Sequence, residues 1–243
     1  MLNNTSTELT IIIPAKNEAA NILTLLASVA KQDYLQSHKV PILVADAGST
    51  DCTGLAASIA GMEFGLSVMV IPGGLPAVGR NRGAREAKSR YLLFLDADVV
   101  LEDPQFIGRV VGEMRARSLH CATTDIHCDG HWMSKAAYAV NNVFQRGSRF
   151  VGTPFSTGMC MFFDRAAFAR LGGFREDALF AEDYLLSKLV GWRRFRVIPG
   201  GVRTSDRRMQ KMGYWKLAKL FFGTALFSHR DSQFTKDHGY WNA

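Results

Sequence analysis

Two carboxylates, Asp96 and Asp98, directly follow the apolar run Tyr91–Leu95 and are the side chains of this sequence best placed to do chemistry. A buried strand that ends there carries both to the C-terminal edge of a sheet, where α/β proteins bind their ligands. Neighbouring carboxylates repel each other, and a divalent cation held between them and a phosphate-bearing ligand relieves that repulsion. For an isolated Asp-x-Asp the alternative is a solvated turn, so the interpretation depends on what else gathers at the same edge.

Two earlier segments also place polar groups directly after apolar strands. The strand predicted over residues 9–13 ends in Pro14-Ala15-Lys16-Asn17-Glu18, beside a helix N-terminus that attracts anions. The strand predicted over residues 40–45 is followed by Asp46, whose carboxylate can accept hydrogen bonds from a base N–H or a ribose hydroxyl. Ordinary turn and capping chemistry is the competing interpretation of each segment.

Charged residues also open a helix just before the strand that carries the two aspartates. In Gly79-Arg80-Asn81-Arg82-Gly83, either arginine can pair with a phosphate, and Asn81 offers both donor and acceptor groups. The alternative is a solvated helix face.

Two late segments supply acids and cations. Glu182 and Asp183 open another predicted helix, where carboxylates suit the helix dipole and where an acid can also serve as a general base. Arg207 and Arg208 follow a short strand and offer a pair of guanidinium groups for a diphosphate.

Composition limits the class of protein. The 243 residues are 47% hydrophobic, enough for one sizeable core, and the net charge of +7 suits an anionic partner. No nucleic-acid-binding motif accompanies that charge. The four cysteines form no Cys-x-x-Cys pair, which argues against a zinc site and favours a reduced, cytoplasmic protein. The N-terminus lacks an apolar signal region, and no stretch approaches the roughly 18 apolar residues of a membrane span.

Strand-length apolar runs alternate with helical patterns along the first hundred residues. This rhythm predicts an α/β fold with a mostly parallel sheet and helices on both faces, organised as a single domain. The predicted strands cover residues 9–13, 40–45, 68–71 and 91–95, and the predicted helices cover residues 17–31, 53–60 and 78–88.

Further elements are predicted in the second half of the chain. A helix ends near residue 117, a strand covers residues 121–126, and residues 130–150 form a helix or a lid. A strand over residues 158–163 leads to a helix that Asp164 caps and Gly172-Gly173 ends.

Taken together, these segments resemble the inverting family 2 glycosyltransferases of GT-A (Rossmann-like) fold, in particular their small, soluble bacterial members. The resemblance spans residues 11 to about 208 and divides the chain into a nucleotide-binding half (about 9–100) and an acceptor-binding, catalytic half (about 101–210). The segments that carry it are Ile13 to Glu18, Asp46 to Asp51, Gly79 to Gly83, Phe94 to Asp98, Leu171-Gly172-Gly173-Phe174, Glu182-Asp183, and Val202 to Ser205 with Arg207-Arg208.

The resemblance implies a nucleotide-sugar donor, UDP- or GDP-linked, bound by the first half of the chain. Asp46 would contact the base, Asn81 with Arg80 would lie near the ribose or diphosphate, and Arg207 with Arg208 would clamp the diphosphate. The residues that would line the nucleoside pocket are Pro14, Ala15, Asn17 and Glu18. Lys16 stands where relatives often carry an aromatic or small residue.

The resemblance also implies the reaction. Asp98 would hold Mg²⁺ or Mn²⁺, Asp96 would hold the ribose or assist the metal, and Asp183 would deprotonate the acceptor hydroxyl, in a glycan or a lipid-linked acceptor of the cell envelope. Some relatives use a late histidine as a further metal ligand, but neither His229 nor His238 lies in a matching motif.

Two alternatives to this enzyme are a nucleotide-sugar-binding protein without catalysis and a haloacid-dehalogenase-like phosphatase. The presence of both Asp98 and Asp183 argues against the first. The three strands that precede the Asp-x-Asp strand argue against the second, whose corresponding strand comes first in the chain.

The tail over residues 211–243 is basic and amphipathic. It is interpreted as a membrane-surface helix that would make the protein peripheral to the inner face of the membrane, as core packing, or as a homodimer contact.

Overall fold

The computed structural model describes residues 7–213 and 234–235, without the side chain of Arg208. Most of the tail lies outside the described residues. Within them, the strands are β1 Leu9–Ala15, β2 Pro41–Asp46, β3 Ser67–Pro72, β4 Tyr91–Leu95, β5 Val99–Leu101, β6 Cys121–Thr123, β7 Ile126–Cys128, β8 Cys160–Asp164, β9 Phe195–Val197 and β10 Val202–Thr204. The helices are α1 Ala19–Ala30, α2 Asp33–Ser37, α3 Thr53–Glu63, α4 Pro76–Glu86, α5 Phe106–Arg117, α6 Trp132–Ser148, α7 Arg165–Arg170, α8 Glu182–Ser187 and α9 Arg207–Met212.

A seven-stranded sheet in the order β3-β2-β1-β4-β8-β6-β9 forms the centre of the fold. The strands β3, β2, β1 and β4 are parallel, whereas β8 is antiparallel to both of its neighbours and β9 is parallel to β6. A smaller sheet, β5-β10-β7, lies beside it. The predicted α/β class with a mostly parallel sheet is therefore confirmed.

Helices cover both faces of the large sheet, as predicted. Alternate residues of β1 enter different cores: Ile11 and Ile13 pack with Leu26 of α1, and Ile12 packs with Ala84 of α4. Because side chains of a strand point alternately to opposite faces, a continuous apolar run such as that of β1 requires cover on both sides.

The prediction that β1 stops before Pro14 is wrong. The strand continues to Ala15, and Pro14 lies opposite Ala45 of β2. Pairing of β1 with β4 ends at Ile12 and Phe94, so at Pro14 the strand has a neighbour on one side only. Proline is tolerated there because its missing N–H faces no ladder partner.

The prediction of one strand over residues 121–126 is also wrong. The segment divides between the two sheets, because Thr124 leaves the ladder and its hydroxyl donates to the Ile198 carbonyl at 2.9 Å and accepts from the Gly201 amide at 2.8 Å. Of the two possibilities for residues 130–150, the structure shows a helix, α6.

The predicted boundaries of α7 are confirmed. The Asp164 carboxylate accepts a hydrogen bond from the Ala167 amide at 2.9 Å. Gly172 and Gly173 have φ of 87° and 74°, which residues with a side chain rarely adopt. All four cysteines are free thiols. Over residues 7–213 and 234–235, we find no helix that combines the length and apolarity needed to cross a bilayer.

We predict that Gly83→Ala destabilises the protein. A Cβ at position 83 would lie 2.5 Å from Cγ2 of Ile12, so α4 would have to move off the sheet. Overpacking of this kind costs about 1–3 kcal/mol, which outweighs the roughly 1 kcal/mol that alanine gains over glycine in a helix. The matched control is Gly112→Ala in α5, where a Cβ would meet no atom within 4 Å. Thermal unfolding should show a lower Tm for the first variant and an equal or higher Tm for the second; the reverse order would contradict this packing.

Candidate active site

The C-terminal ends of β1, β2 and β4 meet at one edge of the large sheet. Ala15 lies opposite Asp46 in the β1–β2 register, and Asp96 follows the last residue of β4. The antiparallel β8 starts at the same edge, where the Asp96 amide donates to the Met159 carbonyl at 3.2 Å. The structure therefore brings the first strand end, Asp46 and the Asp-x-Asp segment together, as parallel-strand geometry requires.

The loops after β1 and β2 are locked to each other. Asn17 has a positive φ of 54°. Its side-chain oxygen accepts a hydrogen bond from the Thr50 backbone amide at 2.8 Å, and its backbone amide donates to the Ser49 hydroxyl at 2.9 Å. The Asp46 carboxylate accepts from the Ser49 amide at 3.1 Å. Asn17 and Asp46 thus fix the shape of this part of the edge.

Arg80 of α4 is buried and lies between two carboxylates. Its guanidinium donates to Asp96 at 2.5 Å and to Glu182 of α8 at 2.6 Å, and it lies 5.3 Å from the centre of the Phe174 ring. Burial opposes the charge, but Asp96 and Glu182, with a further contribution from Asp183, outweigh it and raise the pKa of Arg80 above its ordinary value. One arginine therefore connects α4, the end of β4 and the start of α8.

Gly158 makes room for this arginine. A Cβ there would lie 2.8 Å from Nη2 of Arg80 and 3.3 Å from Oδ2 of Asp183. A side chain at this position would therefore push against the guanidinium, so the glycine leaves the space that the ion pair occupies.

Asn81 is also buried, and its side chain holds the loop after α7. Its amide group donates to the Phe174 carbonyl at 2.7 Å and to Glu176 at 3.0 Å, and its oxygen accepts from the Phe174 amide at 2.9 Å. The next cation along α4, Arg82, donates to the Pro72 carbonyl at 2.7 Å. These are contacts within the protein, and the donor-binding role expected of Asn81 stays a prediction.

Asp183 lies in the first turn of α8, half-buried beside the Arg80 cluster. Its carboxylate accepts hydrogen bonds from the amides of Gly158 at 2.5 Å and Tyr184 at 2.7 Å. Burial and the nearby Glu182 carboxylate raise the pKa of Asp183 to about 7, against the smaller opposing effect of Arg80. This carboxyl group therefore exchanges its proton near neutral pH.

Arg207 lies between the segments that follow β1 and β4. Its guanidinium contacts Glu18 at 2.5 Å and lies 3.8 Å from the Asp98 carboxylate. The first strand end and the second aspartate of Asp-x-Asp are thus within reach of one cation. The side chain of Arg208 and both late histidines, His229 and His238, lie outside the described residues.

A separate cavity of about 720 Å³ lies at the opposite end of the parallel strands. Thr7, Lys39, Lys88, Arg90 and Asp164 are among its lining residues, and Asp46, Asp96, Asp98, Glu182 and Asp183 are not. The candidate site is therefore the group of carboxylates and arginines at the C-terminal edge of the sheet, and this cavity is not part of it.

Sequence reasoning missed three contributors to the site. From the sequence, Glu182 suits the helix dipole or can serve as a general base, Gly158 begins a strand, and Phe174 belongs to a motif without an assigned contact. Only the folded chain places them around Arg80. No local pattern marks this convergence, because the contacts join residues about a hundred positions apart.

The sequence model of the family described as "Glycosyl transferase family 2" matches residues 10–172. Comparison by sequence with the curated proteins gives no significant match.

Among solved structures, the chain is similar to a mannosyltransferase, PcManGT, from Pyrobaculum calidifontis in complex with GDP-Man and Mn²⁺, with a TM-score of 0.70 and 22% identity over 88% of this chain and 61% of that one. It is also similar to S. aureus TarS in complex with UDP-GlcNAc, with a TM-score of 0.64 and 18% identity over 82% of this chain and 58% of that one.

A third similar structure is glucosyl-3-phosphoglycerate synthase from Mycobacterium tuberculosis with Mn²⁺ and UDP-Glc, with a TM-score of 0.59 and 18% identity over 96% of this chain and 81% of that one. The chain spans about three-fifths of the PcManGT chain and of the TarS 1-349 chain. At these identities the likeness establishes the GT-A fold, and the match over residues 10–172 shows that the chain belongs to glycosyl transferase family 2.

Proposed function

We propose that this protein transfers a sugar, with inversion, from a UDP- or GDP-sugar to an acceptor hydroxyl, with Asp183 as the general base. The observation that carries the proposal is the environment of Asp183, whose pKa is raised to about 7 next to the Arg80 cluster. A base of that pKa is matched to proton transfer at neutral pH, whereas an ordinary aspartate is a weak base.

The donor would lie along the edge formed by β1, β2 and β4. Pro14, Ala15, Asn17 and Glu18 would line the nucleoside pocket, and Asp46 would contact the base. Arg207 is a cation within 3.8 Å of Asp98 and supports a diphosphate position between the two segments. The complexes of related structures with GDP-Man, UDP-GlcNAc and UDP-Glc support a nucleotide-sugar donor.

Arg80 is proposed to position Asp96 and Glu182. Since both its end nitrogens already contact carboxylates, the ion pairs favour this role over direct contact with a phosphate. Holding Asp96 at a fixed place at the end of β4 would let it meet the donor without reorganisation.

The residues present suit a divalent ion that arrives with its substrate. Over the described part of the chain, no three His, Cys, Asp or Glu side chains form a metal-binding group. Mg²⁺ and similar hard cations are commonly bound by one or two carboxylates plus substrate phosphates, and Asp98, with Asp96 assisting, would supply those carboxylates. When bound, Mg²⁺ or Mn²⁺ would stabilise the charge of the departing diphosphate as a Lewis acid. Mn²⁺ in the PcManGT complex supports this proposal.

The protein side of the reaction is a single proton transfer. The acceptor hydroxyl gives its proton to a carboxylate oxygen of Asp183 as its own oxygen attacks the anomeric carbon from the face opposite the diphosphate. The C–O bond to the diphosphate breaks, and the nucleoside diphosphate leaves with the bonding electron pair. The hydroxyl acceptor is proposed to be a glycan or a lipid-linked molecule.

Asp183→Asn should abolish transfer and leave donor binding unchanged. Asparagine keeps the size of the side chain but takes no proton, and loss of a general base lowers the rate by about 10²–10⁴-fold. Transfer and donor affinity are measured together, with Asp177→Asn, an exposed aspartate paired with Arg175, as the control. Full activity of Asp183→Asn would refute the role of Asp183 as the base. Loss of both transfer and donor binding would assign Asp183 to the donor site instead.

The pH dependence of kcat/KM should report the same group. Because the base works only when ionised, the rate should fall about tenfold per pH unit below the pKa near 7 and level off above it. Glu182→Gln should move this break to lower pH, since the Glu182 charge contributes to the raised pKa. A profile that stays flat from pH 5 to 8 would contradict the assignment.

Asp98→Ala should remove the metal dependence of donor binding while leaving the fold intact. Titration calorimetry with a nucleoside diphosphate, in the presence and absence of Mn²⁺, measures this directly. Glu102→Ala is the matched control, because Glu102 is an exposed acid four residues later whose partner is Arg203. Equal metal dependence of donor binding in wild type and Asp98→Ala would contradict the role of Asp98 as a metal ligand.

A further inference from the structure

The helix α6 has its polar side towards the protein. Its buried residues are Ser134, Tyr138, Gln145 and Ser148, and Asn142 is partly buried. Asn142 bonds both the amide and the carbonyl of Ile126 at 2.9 Å, and Gln145 donates to the Thr124 carbonyl at 2.7 Å. Hydrogen bonds from polar side chains, together with Tyr138 packed in the core, therefore attach this helix to the fold.

The opposite side of α6 is exposed and apolar. Trp132, Val143 and Phe144 are 69%, 70% and 67% exposed, and these positions fall on one side of a helix. The same surface continues past the helix end. The large apolar residues that form this surface, named here the α6 face, are Trp132, Met133, Val140, Val143, Phe144, Phe150 and Val151. A surface helix of a water-soluble fold normally turns its apolar side towards the core and its polar side towards solvent.

The charge around the α6 face is predominantly positive, although Arg146 is paired with Asp125. Residues 130–163 contain no aspartate or glutamate, but they contain Lys135, Arg146 and Arg149. Lys135 and Arg146 lie on the same border of the helix, eleven residues apart, next to the exposed apolar side. A large exposed apolar patch marks an interaction site, and the cations define what charge the partner carries.

We propose that the α6 face docks the protein on the surface of a membrane that contains anionic lipids. An interfacial helix of this type lies in the plane of the headgroups, with Trp, Phe and Val side chains in the acyl boundary and Lys and Arg at the phosphates. A second copy fits less well, because an isologous contact would bring the cationic borders of the two copies together, with Asp125 paired to Arg146 within each copy.

Docking through α6 would bring the membrane close to the proposed base. Gln145 accepts a hydrogen bond from the Thr157 amide at 3.2 Å, and the adjacent Gly158 amide donates to Asp183. If the proposed transfer is correct, the acceptor is then an amphiphile whose hydroxyl group is presented at the membrane surface. This consequence rests on the proposed function, whereas the docking itself does not.

The test is binding of the full chain to vesicles, which needs no activity. Wild type should co-sediment with phosphatidylcholine vesicles that contain phosphatidylglycerol. The triple variant Trp132→Ser, Val143→Ser, Phe144→Ser should bind about tenfold more weakly or worse, since three apolar side chains no longer enter the lipid. The control is Leu55→Ser, Ile59→Ser, Met62→Ser, a triple change of exposed apolar residues on α3, which should bind as wild type does.

Charge is tested separately with Lys135→Gln, which should weaken binding to the anionic vesicles roughly fivefold. It should have little effect on the weaker binding to pure phosphatidylcholine. High salt should reduce the difference between the two lipid compositions, because it screens exposed charges.

Three results would overturn the proposal: no vesicle binding by wild type, equal loss of binding in the α3 control, or a dimer in sedimentation equilibrium that the α6 triple variant dissociates. Equal circular dichroism spectra and Tm values for all variants establish that the fold is retained. Loss of transfer with vesicle binding intact would instead count against the proposed enzyme and leave the docking surface standing.

Discussion

The ion pairs of the buried Arg80 are the constraint on which the rest of the site depends. A charge removed from water costs several kcal/mol unless it is paired, so a guanidinium at this depth requires carboxylates in contact. Asp96 and Glu182 meet that requirement, one from the end of β4 and the other from α8. Gly158 leaves the space that the guanidinium needs. The arginine therefore fixes α4 and the end of β4 to α8, which follows about a hundred residues later in the sequence.

The same cluster explains the behaviour of Asp183. Asp96 and Glu182 take the contacts of the one arginine, so Asp183 is left with burial and a neighbouring negative charge, and its pKa rises from 3.8 to about 7. The native state consequently holds this proton to higher pH than the unfolded chain does. The contribution of Asp183 to stability therefore decreases as pH rises from about 4 through 7. An active site commonly carries such a cost, because a reactive group is seldom in its most stable environment.

The two sides of helix α6 have different roles. Its polar side chains satisfy backbone groups of the strand ends, and its apolar side chains remain available to a partner. An apolar stripe at helical spacing indicates a helix but does not say which side faces the core. From the sequence, residues 130–150 form a helix or a lid, and the hydrogen bonds of Asn142 and Gln145 decide which side of α6 faces the fold.

The sequence by itself determined the alternation of strands and helices, the mostly parallel sheet, and the gathering of Asp46, Asp96 and Asp98 at one edge. Each of these follows from local periodicity and from the rule that parallel strands end at a common edge. It could not determine that β1 runs through Pro14, that residues 121–128 divide between two sheets, or that Arg80 is enclosed by carboxylates. Those features depend on neighbours that only the tertiary structure supplies: a one-sided ladder, a loop that binds Thr124, and contacts that close over about a hundred residues of chain.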